Sequence, residues 1–193
     1  LPIDPRDIGR EYEAVVRINS QSGKGGVALV LERDYDISLP KWMHFPLSRV
    51  VQGAAEQRGV EVSPTNIKRL FDEHFIAVPT QWQLHDYDLH TEGHHVSARF
   101  KIGEAQFSGE GAGALEALCS ALTTSFGCAI EVIHFDQHAI SGGTDANAQA
   151  SVAVQINGDE YCAVAVAEDT SAAALQAMLT AFSRTGIAAA QAA

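Results

Sequence analysis

The sequence predicts an α+β protein in which a small β-hairpin/two-helix subdomain precedes a duplicated βββα domain that dimerises. Three observations carry this prediction. A small-residue helical stretch occurs twice, once as Ala114-Leu115-Glu116-Ala117-Leu118 with Ala121 and Leu122, and again as Ala174-Leu175-Gln176-Ala177-Met178 with Ala181 and Phe182. Each copy follows runs that alternate apolar and polar residues, the period of a half-buried strand. Charge also shifts along the chain: the first 80 residues hold 10 Lys/Arg against 11 Asp/Glu, the remainder 3 against 13.

In the first part, Glu11 to Asn19 carries Tyr12, Ala14, Val15, Val16 and Ile18, then comes a polar, Gly-rich stretch from Ser20 to Gly26, then Val27 to Leu31. This reads as strand, turn, strand. From Phe45 to Arg58, Leu47, Val50, Val51, Ala54 and Ala55 fall at helical spacing, and Gly59 stops the run. Ser63 then suits an N-cap with Pro64 at the first helical position, and Ile67, Leu70, Phe71 and Phe75 form the face to be buried. Val78-Pro79 closes this subdomain, so the expected division is 1–79 and 80–193.

In the second part, strands are expected over Trp82 to Leu89, then at Val96, Ala98 and Phe100 before a turn at Gly103, with the first helix behind them. The second copy has Ala129 to Phe135, then Val152, Val154 and Ile156 before Asn157-Gly158, a dipeptide suited to a tight hairpin turn. The repeats span about 82–127 and 129–186. One three-stranded sheet with one helix buries a single face, so the copies must pack together or against another chain. Helices this rich in alanine favour close contact between subunits, hence the expected homodimer.

Composition excludes several classes of function. At 46% apolar and 19% charged, the chain is globular, and no apolar run reaches the roughly 20 residues of a spanning helix. A net charge of −11 argues against nucleic acid or an anionic membrane as partner. Cys119, Cys128 and Cys162 lack any CxxC pairing and sit among apolar residues, as reduced core residues of a cytoplasmic protein do. Leu1-Pro2-Ile3-Asp4-Pro5 has no signal-peptide character and reads as the start of an excised piece of a longer cytoplasmic chain.

Few motifs point to chemistry. Ser22-Gly23-Lys24-Gly25-Gly26 lacks the glycine spacing and the hydroxyl residue of a nucleotide-binding loop and leads toward a strand, so it reads as a turn. His134 and His138 would be about 13 Å apart on a strand rising 3.3 Å per residue, too far for one metal ion. No serine, cysteine or lysine stands in a nucleophile setting, so no catalytic residue and no metal ligand is assigned. Ser108-Gly109-Glu110-Gly111-Ala112-Gly113 is different, because it leads from a strand into a helix. Its glycines serve either a loop with positive φ angles or a backbone that offers the N–H groups of Gly111 to Gly113 to an anion. The matching turn of the second repeat, Ala167-Glu168-Asp169-Thr170-Ser171, has acids in place of glycines.

These residues, together with longer runs, resemble the 2-isopropylmalate synthases of the longer bacterial type. The runs are Leu1 to Arg10 with Tyr12-Glu13-Ala14-Val15, Arg17 to Val27, Glu61-Val62-Ser63-Pro64, Gly109 to Leu115, and Glu131 to Ala146. The resemblance implies a linker subdomain and a regulatory domain that dimerises and binds L-leucine between subunits for feedback inhibition. It places the catalytic barrel, which condenses acetyl-coenzyme A with 2-oxoisovalerate using a divalent metal, N-terminal to this chain. The chain itself is then expected to hold no cofactor and to be catalytically silent. The implied effector site comprises Ala112, Gly113, Leu115, Val132, Phe135, Ala139 and Ala146, which Gly111 joins through the turn. The family often has Asn and Pro where this chain has Ala112 and Ala114, and Tyr where it has Phe135. Competing readings are a citramalate synthase regulatory domain answering to isoleucine and a dimerisation module that binds no small molecule.

Overall fold

The computed structural model describes residues 25–58, 62–140 and 147–187, and the chain divides into two compact units, Leu1–Phe71 and Asp72–Ala193. The first arm of the expected hairpin, Glu11 to Asn19, lies outside the described residues. Its second arm is not a strand. Val27 to Leu31 belongs to helix α1, Gly26–Tyr35. Five consecutive apolar residues suit either element, but Val27, Ala28, Val30 and Leu31 are buried while Leu29 is 60% exposed. That is the i, i+1, i+3, i+4 stripe of a helix, and it continues through Glu32-Arg33-Asp34.

The two expected helices are present. Helix α2 runs His44–Arg58 and α3 runs Pro64–Phe71. Ser63 caps α3, its Oγ accepting from the Asn66 N–H at 3.3 Å, and Ile67, Leu70 and Phe71 form the buried face. The chain then makes a π-helical turn, Asp72–Ile76, which buries Phe75.

The second unit contains the predicted duplication. Strands β1 (Leu84–Glu92), β2 (His95–Ile102) and β3 (Ala105–Gly111) form one antiparallel sheet, followed by α4, Ala114–Phe126. Strands β4 (Ile130–Ala139), β5 (Ala148–Ile156) and β6 (Asp159–Ala167) form another, followed by α5, Thr170–Ser183. The β5–β6 turn is the expected one, with Asn157 at φ 52° and Gly158 at φ 96°. Both first strands start later than the sequence suggests. Thr80–Trp82 is a 3₁₀ turn that carries Trp82 into the core, where its ring meets Phe182 at 4.9 Å and Phe126 at 5.5 Å between centroids. This turn fixes the need for glycine at position 103, whose φ is +54° and where a Cβ would stand 2.6 Å from the Gln81 carbonyl oxygen.

One core serves both repeats. Phe100, Ile102, Leu118 and Leu122 of the first join Val152, Val154, Leu175 and Phe182 of the second in a single cluster around Trp82. Helix α4 lies on β2 and β3, α5 lies on β5 and β6, and the two helices pack on each other. Yet the helices differ. Helix α4 buries one stripe, Ala117, Leu118, Ala121 and Leu122, whereas α5 buries Ala173 to Leu175 and every residue from Ala177 to Phe182. A helix apolar all round has neighbours all round. Those of α5 include β1, β4 and the turns at 72–76 and 80–82. Among the described residues, no helix is long and apolar enough to cross a membrane.

Candidate functional site

The expected effector residues fall into two groups on different elements. The first group surrounds the entry to α4. Gly111 ends β3, Ala112 is exposed, and Gly113 is the N-cap residue, with extended backbone and no side-chain cap. Leu115 is half-buried at the margin of the core. The sequence left two explanations for the glycines here, and geometry adds a third. Positive φ is not the reason, since none of Gly109, Gly111 and Gly113 has it. A Cβ at 109 would collide with the Ala117 carbonyl and stand 2.7 Å from the Ala121 nitrogen; at 111 it would stand 2.8 Å from the Ala117 nitrogen. These two glycines let α4 press directly onto β3. Gly113 is different again, because nothing lies within 4 Å of where its Cβ would be.

A helix begins with N–H groups that have no partner within the helix. At α4 the Glu116 carboxylate turns back and accepts the Ala112 N–H at 2.8 Å, and Gly113 supplies nothing further. One of the three amides expected to meet an anion is therefore engaged, within reach of an exposed carboxylate. At α5 the arrangement is closed. Asp169 is the N-cap, accepting the Ala172 N–H at 2.8 Å, and both its carboxylate oxygens take the Tyr87 hydroxyl at 3.1 Å. Partial burial first, and the Asp169 carboxylate second, raise the pKa of the Tyr87 phenol.

The second group lies on β4. A bulge at Ile133 interrupts its pairing with β5: Val132 pairs with Val154, His134 with Ala153, Phe135 with Val152 and Ala139 with Ala148. Residues 132 and 135 would face opposite sides of a regular strand. The extra residue instead places Val132, Phe135 and Ala139 together, opposite the core-facing residues of β5. They are nevertheless open to solvent, Val132 at 37% and Phe135 at 40%, with Ile133 and Ile140 comparably exposed beside them. β4 is an edge strand, so its outer backbone groups are unpaired within the sheet. Ala146 lies outside the described residues.

Thus the structure brings Gly111, Ala112, Gly113 and Leu115 together at one turn and Val132, Phe135 and Ala139 together on one strand face. β3 and α4 pack on each other while β4 packs on β5. Neither described cleft, one beside Asp86 to Asp88, Arg99 to Lys101 and Gln106, the other beside Ala77 to Pro79 and Ser183-Arg184, takes in any of these seven residues. His134 and His138 share the other face of β4, and among the described residues no three His, Cys, Asp or Glu side chains stand close enough to hold a metal ion. Burial pushes the Cys119 and Cys162 thiols up to about 12, so neither is a thiolate near neutral pH. Sequence pattern does not mark the Tyr87–Asp169 link, and its one signal for Gln176 is that this residue stands where the first repeat has Glu116.

Comparison with known proteins adds the following. Residues 61–185 match the family model described as LeuA allosteric (dimerisation) domain, and residues 1–32 match the one described as alpha-isopropylmalate synthase, post-catalytic domain-like. A 2-isopropylmalate synthase of Alcanivorax borkumensis is 48% identical over 189 residues, covering 95% of this chain and 34% of that protein. Those of Pseudomonas syringae pv. tomato and Pseudomonas fluorescens Pf-5 are 40% and 38% identical, again over 95% of this chain. The chain spans about a third of the length of the curated relatives it matches.

Proposed function

Because the chain belongs to the LeuA allosteric (dimerisation) domain family, we propose that it is the regulatory region of a 2-isopropylmalate synthase and binds L-leucine between two copies of itself to report the level of the end product. Residues 1–79 act as the linker subdomain and 80–193 as the effector domain. The metal-dependent condensation of acetyl-coenzyme A with 2-oxoisovalerate belongs to a barrel N-terminal to this chain, and the chain alone is catalytically silent. Both act in the cytoplasm.

The observation that carries this reading is the exposed face of β4, where Val132, Phe135 and Ala139 stand with Gln137 between the last two. Val132, Phe135 and Ala139 present a surface suited to an isobutyl group, while the polar half of the expected site, around Gly113, sits on another element. Two halves that do not close on each other within one chain are completed by a second copy, and an edge strand with apolar neighbours is where that copy docks. The helix end at Gly113 suits the carboxylate of leucine, and Glu116, already at the turn, suits its ammonium group.

Calorimetry with leucine and isoleucine, paired with sedimentation, tests the proposal. A dimer that releases heat with leucine is expected. A monomer at micromolar concentration, or no heat with either amino acid, would sink it, and heat with isoleucine alone would reassign the effector. Release of free coenzyme A from acetyl-coenzyme A and 2-oxoisovalerate by this chain would overturn its catalytic silence.

A further inference from the structure

Helix α5 does more than fill the core. Three polar residues along it hold one continuous stretch of chain, residues 73–87, by which the chain enters the second unit. At the C-terminal end, Arg184 donates from Nη1 to the Glu73 carbonyl at 3.4 Å and from Nη2 to the Ala77 carbonyl at 3.3 Å. Glu73 lies in the π-helical turn Asp72–Ile76 and Ala77 follows it, so the guanidinium ties the turn to the chain that leaves it. In the middle, the Gln176 side chain works in both directions: Oε1 accepts the Leu84 N–H at 2.8 Å and Nε2 donates to the Trp82 carbonyl at 3.3 Å. It thereby stands in for a strand neighbour at the start of β1, just before the bulge at His85. At the N-terminal end, Asp169 takes the Tyr87 hydroxyl. As the segment runs forward from 73 to 87, its partners run backward from 184 to 169. The segment is strapped antiparallel to a helix of 14 residues, about 21 Å long.

Glu116, its counterpart in the sequence repeat, stands three residues after the N-cap of α4 and spends its side chain on that helix entry, whereas Gln176 stands seven residues after the N-cap of α5. A carboxylate has no hydrogen to give a carbonyl, so only an amide can make both contacts at once. Of the three Lys/Arg beyond residue 80, one is Arg184.

We propose that Gln176 and Arg184 are positioning residues that carry effector occupancy out of the regulatory unit, by fixing residues 73–84 to α5. The proposal rests on the reading of this chain as a leucine-responsive domain. Helix α5 touches β4 and β5, the sheet that bears the apolar half of the proposed site. A shift of that sheet is therefore felt by α5, and through Gln176 and Arg184 by residues 73–84, the first stretch of the second unit.

Hydrogen exchange on the whole chain, read at peptides covering 72–84 with and without leucine, tests this. In the wild type, leucine should slow exchange there although no proposed site residue lies in the segment. In Gln176→Leu/Arg184→Met, exchange of 72–84 should rise roughly tenfold in the absence of leucine and stop responding to it, while β5 and β6 stay protected. The leucine dissociation constant by calorimetry should move less than about threefold in that variant, since coupling and binding are separate quantities. Arg184→Lys, which keeps a donor, should restore protection of 72–78, whereas Gln176→Glu keeps the acceptor for the Leu84 N–H but not the donor to the Trp82 carbonyl and should restore protection only in part. Unchanged exchange in the double variant would overturn the proposal, as would leucine binding that leaves 72–84 unaffected in the wild type or equal loss of binding and coupling in the variant. If the wild type shows no heat with leucine, the effector reading fails instead, and exchange without effector still decides whether the strap exists.

Discussion

The two helices of the duplication began from one pattern and occupy different positions. Helix α4 lies at the margin of its unit, entered through a turn whose N-cap is glycine; α5 is enclosed on every side and capped by Asp169. The sheets show the same divergence. At β3, Gly109 and Gly111 let α4 approach until no Cβ would fit, whereas the register of β6 puts Ala163 and Ala165, each with a Cβ, in the corresponding places under α5. A duplicated unit can thus divide its labour: one copy leaves its helix entry without a side-chain N-cap, and the other closes that entry and uses the helix as a support.

The sharpest way to break the comparison is through the core. Phe182 of α5 is fully buried and touches the rings of Trp82 and Phe126. Phe182→Ala should cost about 3–5 kcal/mol, and Leu122→Ala, the matching change in α4, should cost less, near the lower end of about 2–5 kcal/mol. Chemical denaturation of both variants measures this. Equal losses would mean that α5 is no more central than α4.

Next in size is the glycine that sets the spacing. Gly109→Ala places a methyl group against the backbone of α4, which cannot yield as a flexible side chain would. The expected cost is about 1–3 kcal/mol, against about 0.5–1 kcal/mol for Ala163→Gly in the second repeat, where only conformational freedom and a small contact are lost. A Gly109→Ala protein as stable as the wild type would show that α4 is free to lift from β3.

Much of this division was legible in the sequence and some of it was not. The matching helices, the alternating strands and the Asn157-Gly158 turn are local patterns, and each appears where expected. Val27 to Leu31 reads as a strand from sequence because an unbroken apolar run carries no period; the burial of Val27, Ala28, Val30 and Leu31 shows the helix. The bulge at Ile133, which brings Val132 and Phe135 to one face, has no sequence mark, since its cause is the pairing with β5. Sequence pattern groups Gly109 with Gly113 in one glycine-rich turn, but Gly109 faces a helix whose position only the assembled unit defines.

Smaller effects are expected at the caps. Asp169→Ala removes an N-cap and the acceptor of the Tyr87 hydroxyl, and should cost about 1 kcal/mol, within the range of about 0.5–2 kcal/mol for such caps. Tyr87→Phe removes only the hydroxyl and should cost no more than about 1 kcal/mol. If their effects in the double variant simply add, the Tyr87–Asp169 contact contributes nothing of its own, and the strap is anchored only at Gln176 and Arg184.

Gly113→Asp should have the smallest effect on stability and the clearest on binding. The backbone at Gly113 is extended, near φ −163°, which any residue adopts, and open space surrounds the missing side chain. Asp is also a favoured N-cap, so thermal unfolding should change by no more than a few tenths of a kcal/mol. The substitution makes the entry of α4 resemble that of α5, with a carboxylate seated on first-turn N–H groups. An incoming carboxylate would then meet a like charge where it needs donors, and leucine affinity should fall at least about tenfold. Ala139→Leu is the companion test. Ala139 is exposed in the single chain, so a larger side chain there should shift stability by no more than about 0.5 kcal/mol, while filling the space proposed for the isobutyl group. Both variants should melt like the wild type and bind leucine poorly. A well-folded Gly113→Asp protein with unchanged leucine affinity would show that the ligand's carboxylate rests elsewhere, and the open helix entry would then have no part in recognition.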